Sequence, residues 1–191
     1  MFIQSEATPN PATLKFLPGK PVLADGVLDY RSPDAATASP LASRLFAIDG
    51  VNGVFLGQDF ISVTKTDQLA WQHLKPAVLG VIMEHYMSGA PVVAGAAGTH
   101  SSAAADADAE DFAPDDQEIV DTIKELIETR VRPAVANDGG DIVFRGFREG
   151  VVTLHMRGAC AGCPSSTATL RNGIENMLKH YVPEVTEVRP V

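Results

Sequence analysis

Cys160 and Cys163 are the only cysteines among the 191 residues. Placed at random, two cysteines fall three apart about one time in a hundred, so the spacing asks for a chemical reason. Cys-x-x-Cys lets two sulfurs reach one metal centre. Zinc and iron–sulfur clusters generally take four protein ligands, and one chain supplies two. The simplest completion is a homodimer in which each protomer contributes Cys160 and Cys163 about a two-fold axis. The other readings are a mononuclear site completed by histidine, a thioredoxin-like disulfide, and two incidental thiols. His155 is the nearest histidine in sequence, with a direction that strand alternation leaves open. His73, His85, His100 and His180 form no ligand-spaced cluster.

The setting of the pair adds to this. Gly158-Ala-Cys160-Ala-Gly-Cys163-Pro-Ser-Ser lies between a predicted strand end and a predicted helix start. Helix N-terminal N–H groups favour anions, so the expectation is a lowered thiol pKa and a stabilised thiolate. Pro164 suits the first turn of a helix, where its missing N–H costs nothing. Gly158 and Gly162 allow backbone amides to approach sulfur. A thioredoxin-type motif stands early, in a β-α-β-type layout, usually with proline between its cysteines. Here Ala161-Gly162 intervenes and an α-β hairpin precedes, which counts against the redox reading.

The elements that must position these residues can be read on both sides. In the C-terminal part, Asp115 and Glu118 form a capping pattern before Ile119, Ile123, Leu126 and Ile127. That helix should end near Val131, because Pro133 disfavours helix at Arg132. Asn137 to Asp141 reads as a tight turn. Ile142–Phe147 and Val151–Met156 read as a hairpin around Glu149-Gly150. Leu170, Ile174, Met177, Leu178 and Tyr181 mark an amphipathic helix, and Val185–Val188 a last strand. The predicted order is α-β-β-α-β, with the Cys-x-x-Cys loop before the second helix.

The N-terminal part also reads as mixed α and β. Thr13–Phe16 suggests a strand, Ser39-Pro40 a helix start, and Val51–Leu56 with Phe60–Thr64 a hairpin. Asp67 is expected to cap a longer helix carrying Trp71, Leu74, Val78, Val81 and His85 on one face, closed by Gly89. Nothing here has catalytic spacing. Between the two parts, Gly95 to Asp111 has four acids, no bases and no hydrophobic period, as expected of a flexible tether. The fold class is therefore α+β with two small domains, residues 1–91 and 114–191, joined by a linker at 92–113.

Charge and composition narrow the function classes. The net charge is −9, which speaks against a nucleic-acid partner. Residues 1–91 carry six bases and eight acids, and residues 114–191 nine and twelve, so both parts are mildly acidic. No stretch has the length and apolarity of a membrane span. The first residues lack a secretory or transit-peptide pattern. The expected location is therefore the bacterial cytoplasm, with a mature organellar form left open.

Several ordered blocks resemble a known family. Arg132-Pro133, Asp138-Gly-Gly-Asp141, Gly158 through Leu170 and Gly173-Ile-Glu175 resemble the NifU C-terminal domain. Phe2-Ile-Gln, Thr8-Pro-Asn-Pro11, Leu14 through Gly19, Ser39-Pro-Leu41, Asp59-Phe60, Trp71 and Leu74-Lys-Pro76 resemble the N-terminal domain of Nfu proteins. The resemblance implies an iron–sulfur cluster scaffold or carrier, not an enzyme. It implies Cys160 and Cys163 as cluster ligands, a [4Fe–4S] cluster held between two C-terminal domains, and transfer to apo-proteins such as aconitase-type enzymes and lipoyl synthase. Cluster-assembly machinery would be the donor. By thiolate count alone, [2Fe–2S] fits equally well. The family's longer member has further cysteine-bearing domains that these residues lack.

Overall fold

The computed structural model describes residues 2–94, 111–161 and 164–191, the side chains of 164–166 excepted. The chain divides into two units, Met1–Ala105 and Asp106–Val191. Each has its own sheet and its own apolar core. The linker expected at 92–113 falls largely on residues 95–110, outside those described.

In the N-terminal unit, five strands form one antiparallel sheet: β1 Gln4–Ala7, β2 Thr13–Leu17, β3 Leu28–Tyr30, β4 Val51–Leu56 and β5 Ile61–Lys65. Their order across the sheet is β1-β2-β5-β4-β3. Helix α1, Pro40–Phe46, starts where the sequence places it. The Ser39 side chain accepts from the Ala42 N–H at 3.1 Å, and Pro40 occupies the first turn. Helix α2, Trp71–Ser88, begins after Ala70 without a side-chain cap, so Asp67 does not play the expected part. Gly89 ends it in the left-handed conformation, φ 68°. Leu41, Leu45, Val78 and Ile82 from the two helices pack with Phe16, Val54, Ile61 and Val63 of the sheet.

The C-terminal unit opens with a two-residue strand, β6 Asp111–Phe112. Helix α3, Gln117–Leu126, follows, and the expected Asp115–Glu118 capping box is not formed. The helical path does not end at Val131. It widens into a π turn over Ile127–Val131 and continues as α4, Arg132–Asn137, with Pro133 in its first turn. A break in the hydrogen-bond ladder is what lets a proline pass, because its ring clashes only with a regular preceding turn. Strands β7 Gly140–Arg148 and β8 Val151–Gly158 form an antiparallel hairpin. Helix α5, Pro164–Tyr181, leads to β9 Glu187–Pro190, two residues later than the expected Val185 start. The sheet runs β6-β7-β8-β9, with both edge strands parallel to their neighbours.

Val120, Ile123, Ile127, Val131 and Val135 from the α3–α4 path, with Ile174 and Leu178 of α5, pack on Ile142, Phe144, Leu154 and Met156 of the sheet. The opposite face, bearing Arg145, Thr153 and His155, lines an open recess of about 600 Å³.

Candidate functional site

Cys160 stands two residues past the end of β8 and belongs to the apolar core of the C-terminal unit, with 6% of its surface exposed. Its setting is built by the turn between α4 and β7. Gly139 turns the chain with φ +80°, and its carbonyl accepts from the Ala159 N–H at 3.2 Å. Gly140 and Gly158 then face each other as the first pair of the β7–β8 ladder. A methyl group on Gly140 would lie 2.7 Å from Cys160 Sγ and 2.7 Å from the Arg157 carbonyl oxygen. Only glycine lets this backbone lie against the sulfur. From the other side, Thr167 Oγ1 donates to the Cys160 carbonyl at 3.1 Å, tying the loop to α5.

The electrostatics differ from the expectation of a helix-activated thiolate. Burial pushes the Cys160 thiol up to about 12, and the Asp138 and Asp141 carboxylates add in the same direction. The physical reason is position: Cys160 stands four residues before the first residue of α5 and inside the core, so desolvation outweighs the helix terminus. Gly162 and Cys163 lie outside the described residues.

Asp141 is the charged residue built into this wall. It is 4% exposed, and Arg132 meets it with two bonds, Nε to Oδ1 at 2.8 Å and Nη2 to Oδ2 at 3.1 Å. Arg132 Nη1 also donates to Glu128 Oε1 at 2.7 Å. The tight turn expected over Asn137 to Asp141 narrows to Asp138-Gly139 between α4 and β7, and sequence spacing alone assigns Arg132 no partner. The available signal is an arginine beside a proline, nine residues before an aspartate that follows two glycines. His155 lines the open recess with Arg145 and Arg189, on the face away from the core that holds Cys160. Among the described residues, no three His, Cys, Asp or Glu side chains gather into a metal-holding group. No described helix is long and apolar enough to cross a membrane.

Residues 3–89 match the family model described as scaffold protein Nfu/NifU N terminal, and residues 123–189 match the NifU-like domain. The human protein named NFU1 iron-sulfur cluster scaffold homolog, mitochondrial, is 49% identical over 192 residues, covering 100% of this chain and 72% of its own. NifU-like protein 5, mitochondrial, of Arabidopsis thaliana is 52% identical over 190 residues, covering 98% and 67%. A solved NifU-like protein from Saccharomyces cerevisiae matches 49% of this chain and 84% of its own at 24% identity, with a TM-score of 0.40, too loose to inform the site. These relatives correct the expected bacterial cytoplasmic location, since they carry mitochondrial names and align along the chain. The composition of the first residues was no guide to compartment. Gln4–Ala7 are a strand paired with β2, and their polarity reflects a partly exposed sheet edge.

Proposed function

The chain belongs to the Nfu/NifU-like scaffold family, and from that premise we propose that it is a non-catalytic carrier that receives an iron–sulfur cluster and passes it to apo-proteins. The domain plan is an Nfu N-terminal-like unit at 1–91, a tether over the residues before β6, and a cluster-binding unit that takes in Asp111–Phe112 as well as 114–191. Cys160 and Cys163 of each of two chains hold the cluster, a [4Fe–4S] centre by family resemblance. The donor is cluster-assembly machinery, and the clients are apo iron–sulfur proteins.

One observation carries the reading: the sequence supplies two thiols, Cys160 and Cys163, and Cys160 is set against a glycine backbone that leaves no room for a side chain. A centre needing four thiolates must then be completed from outside the protomer. Binding requires the Cys160 proton to leave, since thiolate is the ligand. In transfer, a client thiolate forms a new Fe–S bond as the Fe–S bond to a carrier cysteine breaks, and that cysteine regains its proton. Two ligands per chain make such stepwise exchange feasible. The alternative use of the pair, thiol–disulfide exchange, needs an accessible low-pKa thiol. Only 6% of Cys160 is exposed, which leaves little of its sulfur open to an incoming disulfide.

Anaerobic reconstitution with iron and sulfide tests the proposal. A brown dimer that activates an apo-client is expected. A colourless monomer with a reversible intrachain disulfide would replace this reading with the redox one. Mössbauer spectra of the loaded protein distinguish [4Fe–4S] from [2Fe–2S].

A further inference from the structure

We propose that Arg132 is a positioning residue for Cys160, acting through Asp141 on the turn that walls the thiol; the inference rests on the carrier reading above. A guanidinium that meets a carboxylate at two points fixes orientation as well as distance, which an ammonium cannot do. Here both contacts are short, 2.8 Å and 3.1 Å, and the Asp141 side chain is only 5% exposed. Glu128 holds the outer edge of the same guanidinium at 2.7 Å, so Arg132 is itself fixed. Its place is set by the π turn over Ile127–Val131, after which Arg132 opens α4.

The path from this pair to sulfur is one residue long. Asp141 is bonded to Gly140, whose backbone leaves no room for a methyl group beside Cys160 Sγ. The two residues stand in register with Arg157 and Gly158, and Gly139 accepts from Ala159. A displaced Asp141 therefore moves the wall against which Cys160 is set. Charge gives Arg132 a second effect on the cargo. Four thiolates around an iron–sulfur core leave a net negative centre. Arg132 offsets the charge of Asp141, one residue from the Gly140 backbone that lies against Cys160 Sγ.

The test compares full-length wild type with Arg132→Gln, Arg132→Lys and the double variant Arg132→Gln/Asp141→Asn, which keeps a neutral hydrogen-bonded pair without a stranded carboxylate. Cluster loss to an iron chelator and the alkylation rate of Cys160 in metal-free protein are read together. Residues that support metal ligands typically change metal affinity about 10- to 100-fold when replaced. Arg132→Gln should release the cluster faster by a factor in that range and expose Cys160 to alkylation. Arg132→Lys should fall between it and wild type, and the double variant should recover most of the loss. Arg132→Gln with wild-type cluster lifetime and alkylation would overturn the inference. So would a double variant that is folded by circular dichroism yet no better than the single one. If wild type takes up no cluster, the carrier reading fails separately, and the alkylation rates alone decide the role of Arg132.

Discussion

In the N-terminal unit, His85 is wholly buried, and neither ring nitrogen has a hydrogen-bond partner among the described residues. In the C-terminal unit, Asp141 is almost as deeply buried but is held by two bonds from Arg132. The first arrangement is tolerable only because imidazole can stay neutral, and burial together with nearby Arg44 keeps its pKa low. The second keeps a charge inside the fold by pairing it. The difference separates a polar group that the core merely tolerates from one that the fold has organised. The organised one stands beside the thiol.

The sharpest way to break the comparison is Gly140→Ala. Its new methyl group would strike backbone oxygen and Cys160 Sγ, both at 2.7 Å. Overpacking of this kind costs about 1–3 kcal/mol or more. Hydrogen exchange on the full chain should show accelerated opening of β7 and β8, with β2 and β5 unchanged.

Next comes acid. The folded pKa of His85 lies below its ordinary 6.5, so the unfolded state binds the proton first. Stability of the N-terminal unit from this source is full above pH 6.5 and is lost as pH falls through the folded value. Exchange in β2 and β5 should accelerate below pH 6.5, and His85→Leu should flatten that dependence. An identical acid slope in the variant would assign it to other groups.

The smallest effect has the opposite sign. Nothing lies within 4 Å of a methyl group placed on Gly80 in α2. Gly80→Ala should therefore stabilise the N-terminal unit by about 0.5–1 kcal/mol through helix propensity. A measured loss there would mean that this helix face is not free.

Local signals made part of this legible in sequence. Ser39-Pro40 carries both a cap and a proline at the right turn, and α1 starts there. The hairpins β4–β5 and β7–β8 follow from apolar runs separated by turn residues. Gln4–Ala7 is too polar to announce a strand, because pairing with β2 rather than its own composition makes it one. Pro133 predicts a helix end, yet the π turn carries the chain past it. At the site, Cys160 was legible as chemistry but not as burial, since its desolvation depends on residues 20 positions away in the Gly140 turn. The Arg132–Asp141 pair left only a faint signal for the same reason: it forms only when α4 and β7 meet across that turn. The placement of Cys163, legible in spacing, lies outside the described residues.

The central claim is that two chains share one cluster through Cys160 and Cys163. Iron, sulfide and mass measured together on anaerobically reconstituted wild type, Cys160→Ser and Cys163→Ser address it most directly. The account predicts one cluster per two chains in a wild-type dimer and loss of cluster retention in each single variant. A wild-type monomer carrying a complete cluster, or full iron and sulfide in either variant, would contradict it.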